Sequence, residues 1–257
     1  MTRMCLHHAS RRRFLRLMGA GAAAPLLAGC GEEPPINLVS EGTVREMGLR
    51  AWEEMRGKMP LSRDPGLQEA LDRISGRLLQ AVGADPREWE AVVFANPQVN
   101  AFALPGNKIG VFEGMFRVAG SADQLAAVVG HEIGHLQADH GRERMNAQVA
   151  KDWGLRILAF VLQLGEVEYA REIAAALGLG VEYGLVLPYS RGQELEADRL
   201  GLVTMAKAGF DPAEAVQLWR RMESANGNRL PDFLATHPAP QARIEAIERM
   251  LAEMGRA

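Results

Sequence analysis

Two histidines four residues apart flank a glutamate in the segment GHEIGHL, residues 130–136. Positions i and i+4 of an α-helix lie on the same face about one turn apart, so His131 and His135 can direct both imidazoles to one point. Imidazole nitrogens about 2.0–2.1 Å from the ion are typical ligands of zinc. Glu132 lies beside the same point and can contact a water there without being a ligand. The H-E-x-x-H spacing therefore predicts a zinc centre with Glu132 as its general base.

The surroundings of this motif favour a metal centre over an accidental match. The helix that carries it is apolar around the motif, at Leu125, Val128, Val129, Ile133 and Leu136. Burying two imidazoles and a carboxyl group among such side chains is costly unless they are paired or bound to a metal. His140 lies about 140° further around the same predicted helix than the second histidine. It is therefore expected to point away, either at the surface or in support of the site.

A catalytic zinc site needs a third protein ligand as well as an open position. The segment GQELEADRLG places Glu194 and Asp198 four residues apart on a predicted helix, so they share one face. Glu194 is the candidate ligand, and Asp198 is expected to accept a hydrogen bond from a ligand imidazole and so fix its tautomer. Glu196 lies about 200° around the helix from Glu194 and is expected to face elsewhere. For each glutamate taken alone, a solvated helix face remains an equal alternative.

One histidine in a predicted loop is the candidate for stabilising the negative tetrahedral intermediate of a hydrolytic reaction. His237 lies in THPAPQAR, where two prolines predict a loop. Hydrogen-bond donors placed where negative charge develops contribute strongly to such catalysis. A purely structural role, in which His237 caps a nearby helix, stays open.

The elements that must position these residues form a mostly helical α+β domain. The segments WEAVVFAN and NAFALPGNKIGVF predict a small sheet of about three strands, expected to be antiparallel and next to the helix with the histidines. No apolar stretch is long and uncharged enough to span a membrane. Helical spacing of apolar residues and helix start and stop signals predict six helices, at about 41–57, 65–82, 122–148, 192–208, 212–225 and 239–255.

The arrangement resembles a known family of enzymes. HEIGH, followed 59 residues after its second histidine by ELEAD, is similar to the gluzincin zinc metallopeptidases of the HtpX, CAAX-prenyl-protease and mitochondrial Oma type. NAFALPGNKIGVFEG and THPAPQAR resemble that family too, closest to its soluble, lipid-anchored periplasmic members of the BepA and LoiP type. The resemblance implies that Glu194, not Glu196, is the third ligand. It also implies that Asp198 orients His131.

The resemblance implies further roles around the site. In the prenyl-protease branch a matching histidine and arginine contact substrate or intermediate, which implies catalytic roles for His237 and Arg243. In periplasmic members a histidine in such a loop can instead cap the zinc and silence the enzyme, and both alternatives stay open here. The strand near residues 100–104 is expected to pair with an extended peptide substrate, and an ordinary core hairpin without a ligand is the alternative.

The N-terminal residues are typical of an export signal rather than of a folded domain. SRRRFL resembles a twin-arginine signal, and LAGC resembles the cleavage and lipidation site of a lipoprotein. We therefore predict a signal peptide at 1–29, a lipidated Cys30 with a tether at 30–39, and a zinc metallopeptidase domain at 40–257. A short N-terminal helix is the alternative.

The cysteine count and the net charge exclude some classes of ligand and partner. The chain has only two cysteines, Cys5 and Cys30, so the predicted mature domain has neither a disulfide nor a thiolate ligand. Its formal net charge is −3, and removal of a leader with five arginines and no acid leaves about −8. An acidic domain has no excess of cations to replace phosphate counterions, so nucleic acid is not expected as a partner.

Taken together, these features predict a zinc-dependent endopeptidase with one Zn²⁺ per chain. Its expected substrates are misfolded or misassembled envelope proteins, whose peptide bonds it cleaves with a water activated by Glu132. It is expected on the periplasmic side of the envelope, held at the outer membrane by its lipid anchor only, with outer-membrane assembly machinery as a partner. The alternative is a lipoprotein chaperone or assembly factor for outer-membrane proteins, with gated or weak proteolysis.

Overall fold

A computed structural model describes residues 38–149, 189–224, 232–237 and 240–255. The predicted signal peptide, Cys30 and nearly all of the tether lie outside these residues. The helices are α1 Glu41–Lys58, α2 Pro65–Ala81, α3 Glu113–Val118, α4 Ala122–Gln137, α5 Arg191–Lys207, α6 Glu214–Ser224, α7 Asp232–Thr236 and α8 Pro240–Met254. A 3₁₀ turn spans Pro86–Glu88, and residues 140–149 are also helical.

Local sequence signals determine where the long helices begin and end. Asp64, Ser121 and Ser190 each accept a backbone N–H of the first turn of α2, α4 and α5, respectively. Gly83 and Gly209 follow α2 and α5 with φ angles of 77° and 75°. Glycine adopts this left-handed conformation at little cost, so both helices stop close to the predicted position.

The helix with the two histidines is shorter than predicted. It ends at Gln137, and a turn at residues 138–139 separates it from the helical residues 140–149. Asp139 has a φ of 57°, a conformation that breaks the helix and that aspartate tolerates better than most residues. The predicted uninterrupted helix to about 148 is therefore wrong, and the chain changes direction just before His140.

The sheet has three strands, β1 Glu90–Phe94, β2 Ala101–Leu104 and β3 Lys108–Phe112, as predicted. Its order is β1-β3-β2, so the last strand is central. β2 and β3 form an antiparallel hairpin, but β1 pairs with β3 in parallel. The expectation of an antiparallel sheet is thus wrong for one pair, because β2 lies on the outer side of β3 instead of between β1 and β3.

The main apolar core lies between α2, α4, α5 and the sheet, and α6 and α8 also pack against it. α4 is central: its residues from Gln124 to His135 are all buried. A second cluster, in which Trp52 of α1 packs edge-on against Phe94 at 5.8 Å, attaches α1 to the sheet. The predicted class, mostly helical α+β, is confirmed. Among the described residues, no helix is long and apolar enough to cross a membrane.

Candidate metal centre

Close packing of α4 against α5 brings the two predicted halves of the site together. A β-carbon built on Gly134 would lie 2.7 Å from the carbonyl oxygen of Ala197, and one on Gly201 would lie 3.0 Å from the backbone nitrogen of His131. Only glycine permits backbones to approach this closely. The contact places Glu194, near the start of α5, opposite the motif on α4.

The three predicted ligands, His131, His135 and Glu194, are buried and converge between α4 and α5. The Nε2 atoms of His131 and His135 lie 3.0 Å apart. The Glu194 carboxylate places Oε1 3.4 Å from Nε2 of His135 and Oε2 3.5 Å from Nε2 of His131. Donors about 2.0–2.2 Å from one tetrahedrally coordinated zinc lie roughly 3.4 Å from each other. The observed spacings therefore suit a single ion.

His237 joins this group from the loop after α7. Its Nδ1 lies 3.0 Å from Oε1 of Glu194 and 3.2 Å from Nε2 of His131. Counting one ligand atom from each of the four residues, all lie within 4.8 Å of one another. The other ring nitrogen of His237 lies 3.4 Å from Oε1 of Glu132. This position is compatible with both predicted roles, since the ring borders both the donor cluster and the general base.

Asp198 and Arg243 contact the donor cluster, which consists of His131, His135, Glu194 and His237, and hold its side chains in place. Oδ1 of Asp198 lies 3.0 Å from Nδ1 of His131, so this imidazole can donate its proton there and leave Nε2 free to bind a metal. Arg243 makes two hydrogen bonds to the Asp198 carboxylate and contacts Oε2 of Glu194 at 2.5 Å. Its guanidinium packs over the ring of Trp219 at 3.8 Å. These contacts indicate that Arg243 positions the ligands. They do not test contact with a substrate, so the predicted catalytic role of Arg243 stays a prediction.

Glu132 is placed to accept a proton. Its Oε2 accepts a hydrogen bond from the backbone N–H of Ala103 in β2 at 3.0 Å. Its Oε1 is buried and has no hydrogen-bond partner among the described residues. Burial raises the pKa of Glu132 to about 7, because the charged carboxylate loses its hydration. A base with a pKa near neutrality and one free oxygen suits proton transfer to and from a reacting group.

The electrostatics of the cluster suit a cation. Burial and the Arg243 charge oppose protonation of His131, yet Asp198 and Glu194 outweigh them and raise its pKa to about 9. His135 shows the opposite effect, since burial and the neighbouring His131 charge lower its pKa to about 2. The carboxylates thus favour positive charge at His131, and a divalent ion bound to the donor residues would supply positive charge there. The donor types and this charge balance fit a zinc site.

Two further residues contact the His135 ligand. His140 is fully buried, and its Nδ1 lies 2.9 Å from Nδ1 of His135. The expectation that it points away was wrong, because that angle assumed a continuous helix through Asp139. Its Nε2 lies 3.2 Å from Oε2 of Glu196, which stays outside the donor cluster as predicted. On the other side of the site, Tyr189 stacks on the His135 ring at 3.8 Å. The sequence signal for the turn before His140 was Asp139, because aspartate tolerates a left-handed backbone conformation.

Comparisons with known proteins agree with this geometry. The chain is 36% identical over 185 residues to mitochondrial metalloendopeptidase OMA1 of Schizosaccharomyces pombe, which covers 71% of this chain and 52% of that protein. It is 30% identical over 223 residues to the mitochondrial metalloendopeptidase OMA1 of Bos taurus, covering 81% and 42% of the two chains. It is 26% identical over 242 residues to the beta-barrel assembly-enhancing protease of Escherichia coli K12, covering 90% and 50%. The chain therefore spans about half the length of these curated relatives or somewhat less.

A family model extends this similarity to the whole site. The model of peptidase family M48 matches residues 65–251, which include both helices of the donor cluster, the strand beside Glu132, and the loop and last helix with His237 and Arg243. The match covers more than half of the chain and carries the buried histidine and glutamate donors that a metallopeptidase requires. The chain belongs to peptidase family M48.

Proposed function

We propose that this protein is a metal-dependent endopeptidase that holds one Zn²⁺ on His131, His135 and Glu194. The observation that carries the proposal is the convergence of these three buried side chains from two helices, with the free oxygen of Glu132 beside them. Family membership supports the reaction class, and the two imidazoles and one carboxylate support zinc as the ion.

The chain's own residues account for the proton transfers of peptide hydrolysis. When bound, zinc would polarise the scissile carbonyl group and lower the pKa of water at the site. Oε1 of Glu132 accepts a proton from the attacking water and later delivers it to the leaving amine. The Ala103 N–H holds the other carboxylate oxygen, so Oε1 keeps its orientation during both transfers. His237 lies within 3.4 Å of the same oxygen and can donate to developing negative charge.

The outer edge of β2 is the proposed binding site for substrate. In the part of the chain that the structure describes, β2 is an edge strand, and on the side away from β3 Ala103 donates to Glu132. An extended peptide added along this edge would pair with backbone groups of β2 and lie directly beside the general base. The substrate class is therefore an extended or unfolded polypeptide segment.

The cellular setting is proposed from the N-terminal sequence and from one group of relatives. The twin-arginine motif and LAGC support export and a lipid anchor on Cys30. The similarity to a beta-barrel assembly-enhancing protease supports misassembled envelope proteins as substrates and outer-membrane assembly machinery as a partner. We accordingly place the protein on the periplasmic face of the outer membrane, with no contact to nucleic acid.

Metal analysis combined with one substitution tests the proposal. Purified protein should contain close to one zinc per chain and cleave casein, and Glu132→Gln should abolish cleavage while the zinc remains bound. The matched control is Glu248→Gln, an exposed carboxylate paired with Arg220, which should leave cleavage unchanged. A protein without bound metal, or with full activity after Glu132→Gln, would contradict the proposal.

A second function is favoured by the position of His237. Its Nδ1 occupies space that a water or substrate oxygen needs beside His131 and Glu194, which suits a gated enzyme that mainly binds its clients. In that case the protein acts as a chaperone or assembly factor for outer-membrane proteins. Complementation of a deletion strain separates the two functions: if Glu132→Gln restores envelope integrity as well as the wild type does, binding is the main function.

A further inference from the structure

His140 is a buried titratable residue for which the proposed reaction has no use. It is fully inaccessible to solvent, although an imidazole in an apolar interior is costly unless both nitrogens are paired. Both nitrogens do have partners: Nδ1 lies 2.9 Å from Nδ1 of His135, and Nε2 lies 3.2 Å from Oε2 of Glu196. The residue thus connects a metal ligand to a carboxylate on the neighbouring helix.

The donor and acceptor roles along this chain of contacts follow from the metal site. Nε2 of His135 faces Glu194 and His131, so it must carry a lone pair if it binds the ion. The proton of that ring is then on Nδ1, which donates to Nδ1 of His140. His140 in turn carries its proton on Nε2 and donates to Glu196. With Nε2 of His135 bound to the ion, this is the one pair of tautomers for His135 and His140 in which each hydrogen bond of the series has a donor and an acceptor.

The two imidazole ligands are therefore supported in different ways. Nδ1 of His131 is held directly by the buried carboxylate of Asp198. Nδ1 of His135 is held through a second imidazole, and the carboxylate at the end of that series is 60% exposed. Partners of this kind orient ligand rings and raise their basicity toward the metal.

We propose that His140 and Glu196 are positioning residues for His135, which fix its tautomer and ring orientation so that Nε2 faces the metal. This inference rests on the proposed metal site. It does not require His140 to contact substrate or to change its protonation state.

Zinc affinity of the purified protein tests the inference, measured by competition with a chromophoric chelator. His140→Leu removes the acceptor for His135 and should weaken zinc binding by about 10- to 100-fold. His140→Asn places an amide oxygen near the former Nδ1 position and should recover most of that loss. Thermal unfolding in excess chelator provides the second readout, because a purely structural defect would lower stability without metal, whereas a positioning defect lowers affinity.

Substitutions of Glu196, the exposed carboxylate, keep the test informative even if changes at His140 impair folding. Glu196→Ala should weaken zinc binding by a smaller factor, and Glu196→Gln, whose amide oxygen still accepts from His140, should lose less than Glu196→Ala. Glu253→Ala is the matched control, since its carboxylate is similarly exposed and contacts only Arg199 among the described residues. It should bind zinc as the wild type does.

The outcomes separate this inference from the proposed function. Wild-type affinity in His140→Leu, no recovery in His140→Asn, or equal effects of Glu196→Ala and Glu253→Ala would overturn the positioning role alone. Failure of the wild-type chain to bind zinc would overturn the proposed metal site and this inference with it. The visible absorption of cobalt-substituted protein gives an independent check, because a reoriented His135 should alter the ligand-field bands.

Discussion

Arg243 and Asp198 form a buried bidentate ion pair, in which Nε donates to Oδ2 at 2.8 Å and Nη2 donates to Oδ1 at 2.5 Å. The same guanidinium contacts Glu194 through Nη1. Arg243 belongs to α8, whereas both acids belong to α5, so the pair ties the last helix to a proposed ligand and to the residue that orients His131. Site geometry and helix packing are therefore coupled through one side chain.

Arg243→Ala should destabilise the protein strongly, by about 3–5 kcal/mol, because it leaves two buried carboxylates without their counter-charge. Denaturation in the presence of chelator measures this loss. Added zinc should restore part of it, since the ion compensates the same negative charge. The control is Arg220→Ala, which removes an exposed pair with Glu248 and should cost less than about 1 kcal/mol. Similar losses in both variants would contradict the coupling.

If His237 occupies the open coordination position, as in the gated alternative, His237→Ala should increase peptide cleavage several-fold and weaken zinc binding slightly. The ring lies beside His131 and Glu194, where an open coordination position is needed for hydrolysis. Cleavage of casein and zinc affinity are the measurements. The gain should vanish in the double variant with Glu132→Gln, which shows that it depends on the general base. A marked fall in cleavage would instead identify His237 as a residue that stabilises the intermediate.

Gly134→Ala should destabilise the fold by about 1–3 kcal/mol and weaken zinc binding. The new β-carbon would lie 2.7 Å from the Ala197 carbonyl oxygen, so α4 and α5 must separate, and the ligands with them. Gly76→Ala is the matched control, because no described residue outside the local helix backbone lies within 4 Å of its β-carbon and the helix interior favours alanine. We expect that variant to gain about 0.5–1 kcal/mol in thermal or urea unfolding. A neutral Gly134→Ala would argue against tight helix contact.

Glu90→Gln should reduce stability at pH 7 by about 1 kcal/mol. Partial burial opposes ionisation of Glu90, but hydrogen bonds with Lys108 and Trp52 outweigh it and hold the pKa below its ordinary value of 4.5. A lowered pKa contributes stability above the ordinary value, and this contribution is lost as pH falls through the lowered one. The difference between variant and wild type should therefore disappear in strong acid. Urea titrations across that range measure it.

The control for this pH dependence is Glu46→Gln, which removes an exposed pair with Arg50 within α1. It should change stability little at any pH, because exposed pairs one helical turn apart contribute about 0.3–0.5 kcal/mol. A difference for Glu90→Gln that persists unchanged in acid would show that packing of Trp52, not the carboxylate charge, causes the loss.

Much of the candidate metal centre could be predicted because helical periodicity is a local property. Spacing of four residues placed His131 with His135, and Glu194 with Asp198, on common faces before any packing was known. Side-chain caps and left-handed glycines determined where α2 and α5 begin and end. The strand segments were equally clear from their β-rich composition. These features depend on residues within one or two turns of each other.

The sequence by itself thus determined the donor types, their helical spacing and the mostly helical class of the fold. Only the tertiary structure decided that His237 lies beside Glu194 and that Arg243 pairs with Asp198, contacts between residues 43 and 45 positions apart. It also decided the direction of His140 and the central place of β3. Such contacts depend on how helices and strands pack and on one left-handed turn, and no local periodicity encodes either.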